Sequence, residues 1–164
     1  MTKVSRLLVL ALLALPLGAA AKEDAPAPGS QQPYFASIKG DKVFMREGPS
    51  DTHRVKWIYH HKGLPVEVLA SFEVWRRVRD MDGEVGWVHV ALLSRERTAV
   101  VVGAGGAPVR GREDAGSGVV AEAEPGAIGR LESCGEQACE VKFGAAEGWV
   151  DRSRLWGIHE GKQF

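Results

Sequence analysis

One phrase is written twice in this chain, and the repetition limits what the chain can fold into more than any other feature. "GEVGWVHVALL" runs from Gly83 to Leu93, and "AAEGWVDRSRL" runs from Ala145 to Leu155. The agreement reaches upstream. Residues 63–94 read GLPVEVLASFEVWRRVRDMDGEVGWVHVALLS, and residues 126–157 read GAIGRLESCGEQACEVKFGAAEGWVDRSRLWG. Each has a Gly, a short apolar run, a turn, and a second run ending in Val-basic (Val78-Arg79, Val141-Lys142). A Gly-containing turn, Gly-Trp-Val and a Leu follow. Leu92 or Leu93 answers Leu155. Further upstream the two copies share only an apolar-x-Arg start, a polar turn and an apolar stretch ending at Gly. A period near sixty residues exceeds that of solenoid repeats, which run about 20–50 residues. It fits two small domains in tandem.

The local signals are those of strands. "VEVLA" and "WRRVR" are short β-branched or aromatic runs, and "DMDG" and "FGAAEG" are hairpin turns with Gly available for positive φ. After residue 33 no segment carries a sustained helical period. "VALLSRER" has room for one 3₁₀ turn. The expected fold is all-β, with one small barrel over residues 34–97 and a second over 98–164. Gly86, Trp87, Gly148 and Trp149 recur in both units, which assigns them first to the repeated fold.

Lys3 and Arg6 precede an apolar run from Leu7 to Leu15 and the small residues Ala19-Ala20-Ala21. This order is that of a secretory signal peptide over residues 1–21, cleaved near Ala21. The run is shorter than the roughly 20 residues a membrane span requires, so no span is expected in the mature protein. Residues 22–33 are polar and rich in Pro, Ala and Gly, and read as a disordered linker. The expected location is the periplasm or the exterior.

Charge excludes one class of partner. Residues 33–99 carry eleven Lys/Arg against nine Asp/Glu, and residues 100–164 carry seven against ten. Neither half is strongly basic, so nucleic acid is not an expected partner. Cys134 and Cys139 are the two cysteines. A close, even pair in an exported chain reads as a disulfide. It lacks the Cys-x-x-Cys spacing of redox sites and the four ligands of structural zinc.

Three phrases together resemble the tandem bacterial SH3-like proteins exported by alphaproteobacteria: "VFMREGPSDTHRVKWIYHHKGLPVEVL", "WRRVRDMDGEVGWVHVALLSRERTAVV" and "GWVDRSRLWGIHEG". The resemblance implies SH3-like β-barrels that bind cell wall or protein, and it implies no catalysis. The second unit departs from the pattern. It lacks Gly-Pro-Ser, and Ala138 stands where the Trp-x-x-Val strand has its Trp.

Catalytic, metal and cofactor sites are not expected. His60 and His61 are adjacent, and neighbours on a strand point to opposite faces. Gly103-Ala104-Gly105-Gly106 lacks the βαβ setting of a phosphate loop and reads as the turn between the domains. Binding is expected instead at aromatics. Alternation in "VKWIYHH" puts Trp57 and Tyr59 on one face and Ile58 on the other. With Ile58 in the core, Trp57 and Tyr59 face out, and with Trp75 and Arg77 they form a stacking groove for a peptide or glycan. The competing reading is that Trp57 and Tyr59 cover a barrel end or the contact between units. The partner expected is peptidoglycan or an envelope protein segment. The alternatives are an accessory subunit of an envelope complex, docking through "LWGIHEGKQF", and a cell-wall hydrolase. Mass spectrometry of the exported protein should find the Cys134 and Cys139 peptides two hydrogens lighter than the dithiol; free thiols on both would contradict the disulfide.

Overall fold

The computed structural model describes residues 32–159, 161 and 163, so the expected signal peptide and all but the end of the expected linker lie outside the described residues. The first sheet comprises β1 (Tyr34–Ile38), β2 (Val43–Arg46), β3 (Val55–Tyr59), β4 (Pro65–Phe72), β5 (Trp75–Arg79), β6 (Val85–His89) and β7 (Leu93–Ser94). The second comprises β8 (Thr98–Val101), β9 (Ala107–Arg110), β10 (Val119–Ala123), β11 (Ile128–Cys134), β12 (Ala138–Phe143), β13 (Ala146–Asp151) and β14 (Leu155–Trp156). Their orders are β3-β2-β6-β5-β4-β1-β7 and β10-β9-β13-β12-β11-β8-β14, the same topology twice and antiparallel throughout. The chain is therefore all-β, built of two tandem SH3-like units. A single 3₁₀ turn follows β6 (Val90–Leu92) and another follows β13 (Arg152–Arg154). Leu93 is thus the residue that answers Leu155.

Register explains why the phrase repeats. β6 joins β2 through one pair, Arg46 opposite Trp87, and β13 joins β9 through Arg110 opposite Trp149. At these crossings the backbones nearly touch. A Cβ on Gly86 would lie 2.5 Å from Met45 Cγ and 2.8 Å from the Arg46 carbonyl oxygen; one on Gly148 would lie 2.4 Å from the Arg110 carbonyl oxygen. The glycines are there for close approach, not for a tight entry to a strand. Val88 and Val150, next but one along, are fully buried.

The same arginines hold the next loop. Arg46 Nη1 donates to the His53 carbonyl at 2.8 Å, and Arg110 Nη1 donates to the Ser117 carbonyl at 3.1 Å, each seven residues on. Each arginine also flanks a shift in register with the following strand. The 3₁₀ turns are capped alike: His89 Nδ1 accepts from the Ala91 amide, and Asp151 Oδ1 accepts from the Ser153 amide.

The cores differ in what fills them. Ile38, Val43, Met45, Tyr59, Val66, Val68, Val78 and Val88 fill the first. The second holds Val101, Val109, Leu131, Val141, Val150 and Leu155, with small Ala107 and Ala123 and the Cys134–Cys139 disulfide. Ala138 lies opposite Asp151 as Trp75 lies opposite His89, so the strand that starts on a buried tryptophan in one unit starts on alanine beside the disulfide in the other.

The two units meet at a short crossing over residues 95–97. Ser37 Oγ donates to the Glu96 carbonyl at 3.0 Å, Thr98 Oγ1 to the Gly63 carbonyl at 2.7 Å, and the Leu131 amide to the Arg97 carbonyl at 2.9 Å. Phe35 of β1 packs edge-on against Trp156 of β14, ring centres 5.4 Å apart. The glycine-rich stretch Gly103–Gly106 is not the turn between units. It connects β8 to β9 inside the second sheet, with Gly103, Gly105 and Gly106 at positive φ.

Gly148→Ala should destabilise the chain by about 2 kcal/mol, because backbone cannot yield to the new methyl group. Gly118→Ala, where an added Cβ meets nothing within 4 Å, should stay within about 0.5 kcal/mol of the parent in denaturant unfolding.

Candidate functional site

β3 is the outer strand of the first sheet, so one row of its backbone groups is unpaired by the sheet. Its sequence, VKWIY, suits a strand because β-branched and aromatic side chains pack well on a pleated surface. Lys56 ties it down, donating to the Val85 carbonyl at 2.9 Å and pairing with Glu84 at 2.8 Å. Val55, Trp57 and Ile58 are exposed, and Trp57 keeps 51% of its surface in solvent.

Tyr59 does not join them. Trp57 and Tyr59 lie opposite Met45 and Val43, both core residues, so the shared face of β3 is the inward one. Ile58, opposite Phe44, is on the outer side. Trp57 stays exposed because no strand lies beyond β3 to cover it, whereas Tyr59 is buried at 3% exposure. The Tyr59 hydroxyl donates to Asp80 Oδ2 at 3.1 Å and lies 3.3 Å from Met45 Sδ. Burial, then the charge and hydrogen bond of Asp80, push the phenol far above its ordinary range. Asp80 Oδ1 accepts from the amides of Asp82 and Glu84 at 3.1 and 2.9 Å. Asp80, itself buried, therefore shapes the β5–β6 turn and anchors it to the end of β3.

The rest of the expected groove is dispersed. Trp75 is 6% exposed and packs edge-on against His89, ring centres 5.5 Å apart. Arg77 is exposed, opposite Ala70 on one side and Trp87 on the other. The hollow of about 310 Å³ beside Trp57 is lined by Ile58, His60, His61, Leu64, Met81 and Asp82, among others, and by neither Trp75 nor Arg77. Trp87 and Trp149 are half-buried on the outer side of their strands. Among the described residues no three of His, Cys, Asp and Glu gather as a metal site.

Register also shows what the second unit lacks. Val109 lies opposite Ala121 as Met45 lies opposite Trp57, so Trp57-Ile58-Tyr59 is matched by Ala121-Glu122-Ala123. The aromatic edge belongs to the first unit alone.

A second concavity, of about 540 Å³, lies at the seam between the sheets and was not foreseen from sequence. Phe35, Glu67 and Arg79 border it from the first unit, and Arg152, Trp156, Ile158 and His159 from the second. Its one advance signal was Glu67 and Arg79, an acid and a base in the strands either side of a hairpin.

The chain belongs to the bacterial SH3 domain family, whose profile matches it twice, over residues 39–95 and 103–157. No curated protein matches. Among solved structures the chain is similar to NlpC2 from Trichomonas vaginalis, at 11% identity and a TM-score of 0.36 over 77% of this chain and 48% of the other. It is also similar to NlpC1 from the same organism, at 13% identity and a TM-score of 0.36 over 88% and 50%. The chain thus spans about half the length of those proteins. No helix among the described residues is long and apolar enough to cross a membrane.

Tyr59→Phe should cost about 1–2 kcal/mol, since Asp80 Oδ2 loses its donor in a buried place; Trp57→Ala should change stability by less than about 0.5 kcal/mol. Because the folded phenol is held above its unfolded value, the stability it contributes is complete below about pH 10 and is lost as pH rises further. Tyr59→Phe should therefore flatten the alkaline fall in unfolding free energy measured by denaturant titration.

Proposed function

We propose that this is a non-catalytic exported protein that binds a cell-envelope component, peptidoglycan or an envelope protein segment, through the β3 edge of its first unit. Trp57 carries this reading: a half-exposed tryptophan on an unpaired edge strand, at a position the otherwise parallel second unit fills with Ala121. The residues the two units share are occupied in building the sheet. Arg46 and Arg110 pin loops, Gly86 and Gly148 permit strand crossings, and Val88 and Val150 fill cores. Selection for folding alone gives no reason to keep indole surface in water at Trp57, with Val55 and Ile58 beside it.

The edge offers two kinds of contact at once. The indole face stacks on a sugar ring or a peptide side chain, and the free backbone row of β3 accepts an added strand. Periplasmic location agrees with the Cys134–Cys139 bond, since disulfides persist in oxidising compartments.

Purified sacculi and, separately, envelope extracts should retain the protein, and Trp57→Ala should weaken retention about tenfold with no loss of stability. Failure of both materials to retain the parent protein, or equal retention of the variant, overturns the proposal.

A further inference from the structure

The first unit keeps a carboxylate inside it with no positive charge against it. Asp80 is 3% exposed. It accepts from the Tyr59 hydroxyl and from the amides of Asp82 and Glu84, all neutral donors. Among the described residues no lysine or arginine pairs with it: Lys56 pairs with Glu84, and Arg79 with Glu67. Buried charges in proteins are as a rule matched by an opposite charge or a metal.

The fold does not require this carboxylate. Arg79 lies opposite Val85 as Lys142 lies opposite Glu147. The first unit spans the interval with Asp80-Met81-Asp82-Gly83-Glu84, and the second with Phe143-Gly144-Ala145-Ala146. Three acids stand where the copy has none. On the neighbouring strand Trp57 and Tyr59 stand where the copy has Ala121 and Ala123. The aromatic edge and the acidic turn are thus present together in one unit and absent together from the other. Both border the hollow beside Trp57.

That hollow suits a cation carried on an aliphatic stem. At about 310 Å³ it lies at the lower end of the usual range for small-ligand pockets, roughly 300–1,000 Å³. Its lining holds two carboxylates, Asp80 and Asp82, and no lysine or arginine, so with His60 and His61 neutral it is negative. Asp82 is exposed, and its carboxylate has no partner in the chain. Half-exposed Trp57 faces the same space, and a cation is attracted to the face of an indole ring. Ile58, Leu64 and Met81 supply apolar lining for methylene groups. Lys56 is not part of the lining, being held by Glu84 and the Val85 carbonyl.

We propose that this hollow takes the primary ammonium of a lysine-type peptide side chain, held by the Trp57 face and Asp82, with its methylenes against the apolar lining. Asp80 strengthens the attraction from beneath, where little water screens its charge. The proposal rests on the reading of the Trp57 edge as a binding surface and names what that edge selects. Amine-bearing wall peptides and protein lysines offer the same chemistry, and the test separates them.

The test is a ¹⁵N NMR titration of the protein, in the form the cell accumulates, with acetyl-Ala-Lys-Ala amide and with the same peptide acetylated on the lysine amine. The free amine should shift the Trp57 indole signal and the amide signals of Met81 and Asp82, and the acetylated peptide should bind at least about fivefold more weakly. Asp82→Asn should weaken binding of the amine about threefold and leave that of the acetylated peptide unchanged. The Asp82 side chain holds nothing in the fold, so the Val88 signal should stay in place in this variant. Equal binding of the two peptides, no movement of these signals at millimolar peptide, or no effect of Asp82→Asn overturns the proposal. Sacculi and envelope extracts are then compared before and after acetylation of their amines. Retention lost on acetylated sacculi makes the wall peptide the source, and retention lost on acetylated extract makes it a protein lysine; retention undiminished on both overturns the proposal and leaves the Trp57 edge standing. If neither untreated material retains the protein, the edge reading falls, while discrimination between the two peptides still supports an ammonium site.

Discussion

Each sheet depends on one close crossing of strands. β6 reaches β2, and β13 reaches β9, only where a glycine lets backbone approach backbone. Were that approach blocked, the outer pair β2–β3 or β9–β10 would lose its contact with the rest of its sheet, and half of the core would lose its cover. The residues on either side serve the same crossing. The valine after next seals the interior, and the arginine opposite the tryptophan reaches outward to close the following loop. Gly-Trp-Val is therefore a statement about chain geometry made once per unit.

With the crossing fixed, the two copies were free to differ in filling. The first uses large side chains, Tyr59 inside and Trp75 at the start of β5. The second places Ala123 and Ala138 at those positions and links the β11–β12 hairpin covalently through Cys134 and Cys139. A disulfide that closes so short a loop removes little chain entropy. Its contribution here is as buried, hydrophobic bulk in a core that has Ala107 and Ala123 where the first has Val43 and Tyr59. Arg152 reinforces that end, donating to the Gly135 carbonyl beside the bridge.

What could be read from sequence was whatever is local and repeated. The strands, the hairpin turns, the 3₁₀ turn after the first Gly-Trp-Val and the pairing of two near cysteines all rest on neighbours a few residues apart. Tyr59 shows where such reading stops. Alternation correctly put Trp57 and Tyr59 on one face, yet alternation cannot say which face is inside. That was decided by Val43 and Met45 across the strand pair and by Asp80, twenty-one residues on. Trp75 was misplaced for the same reason, since its burial depends on His89 from another strand. The glycine-rich Gly103–Gly106 looked like a linker by composition, but the units are joined by three residues that carry two arginines and no glycine.

The hollow beside Trp57 was illegible for a further reason. Trp57, Asp80 and Asp82 come from one strand and from the turn between two others, and no single stretch contains the site. They become conspicuous only when one unit is laid on the other strand by strand, because they are places where the copies disagree in charge or in size. In a duplicated fold, agreement between copies marks what the chain needs in order to close. Disagreement at a buried place is either a different filling of the core, as at Tyr59 and Ala123, or a mark of what one copy does besides. By that criterion the aromatic edge of β3 and the acidic β5–β6 turn stand apart from the framework on physical grounds: one leaves indole in water, the other keeps a carboxylate nearly out of it.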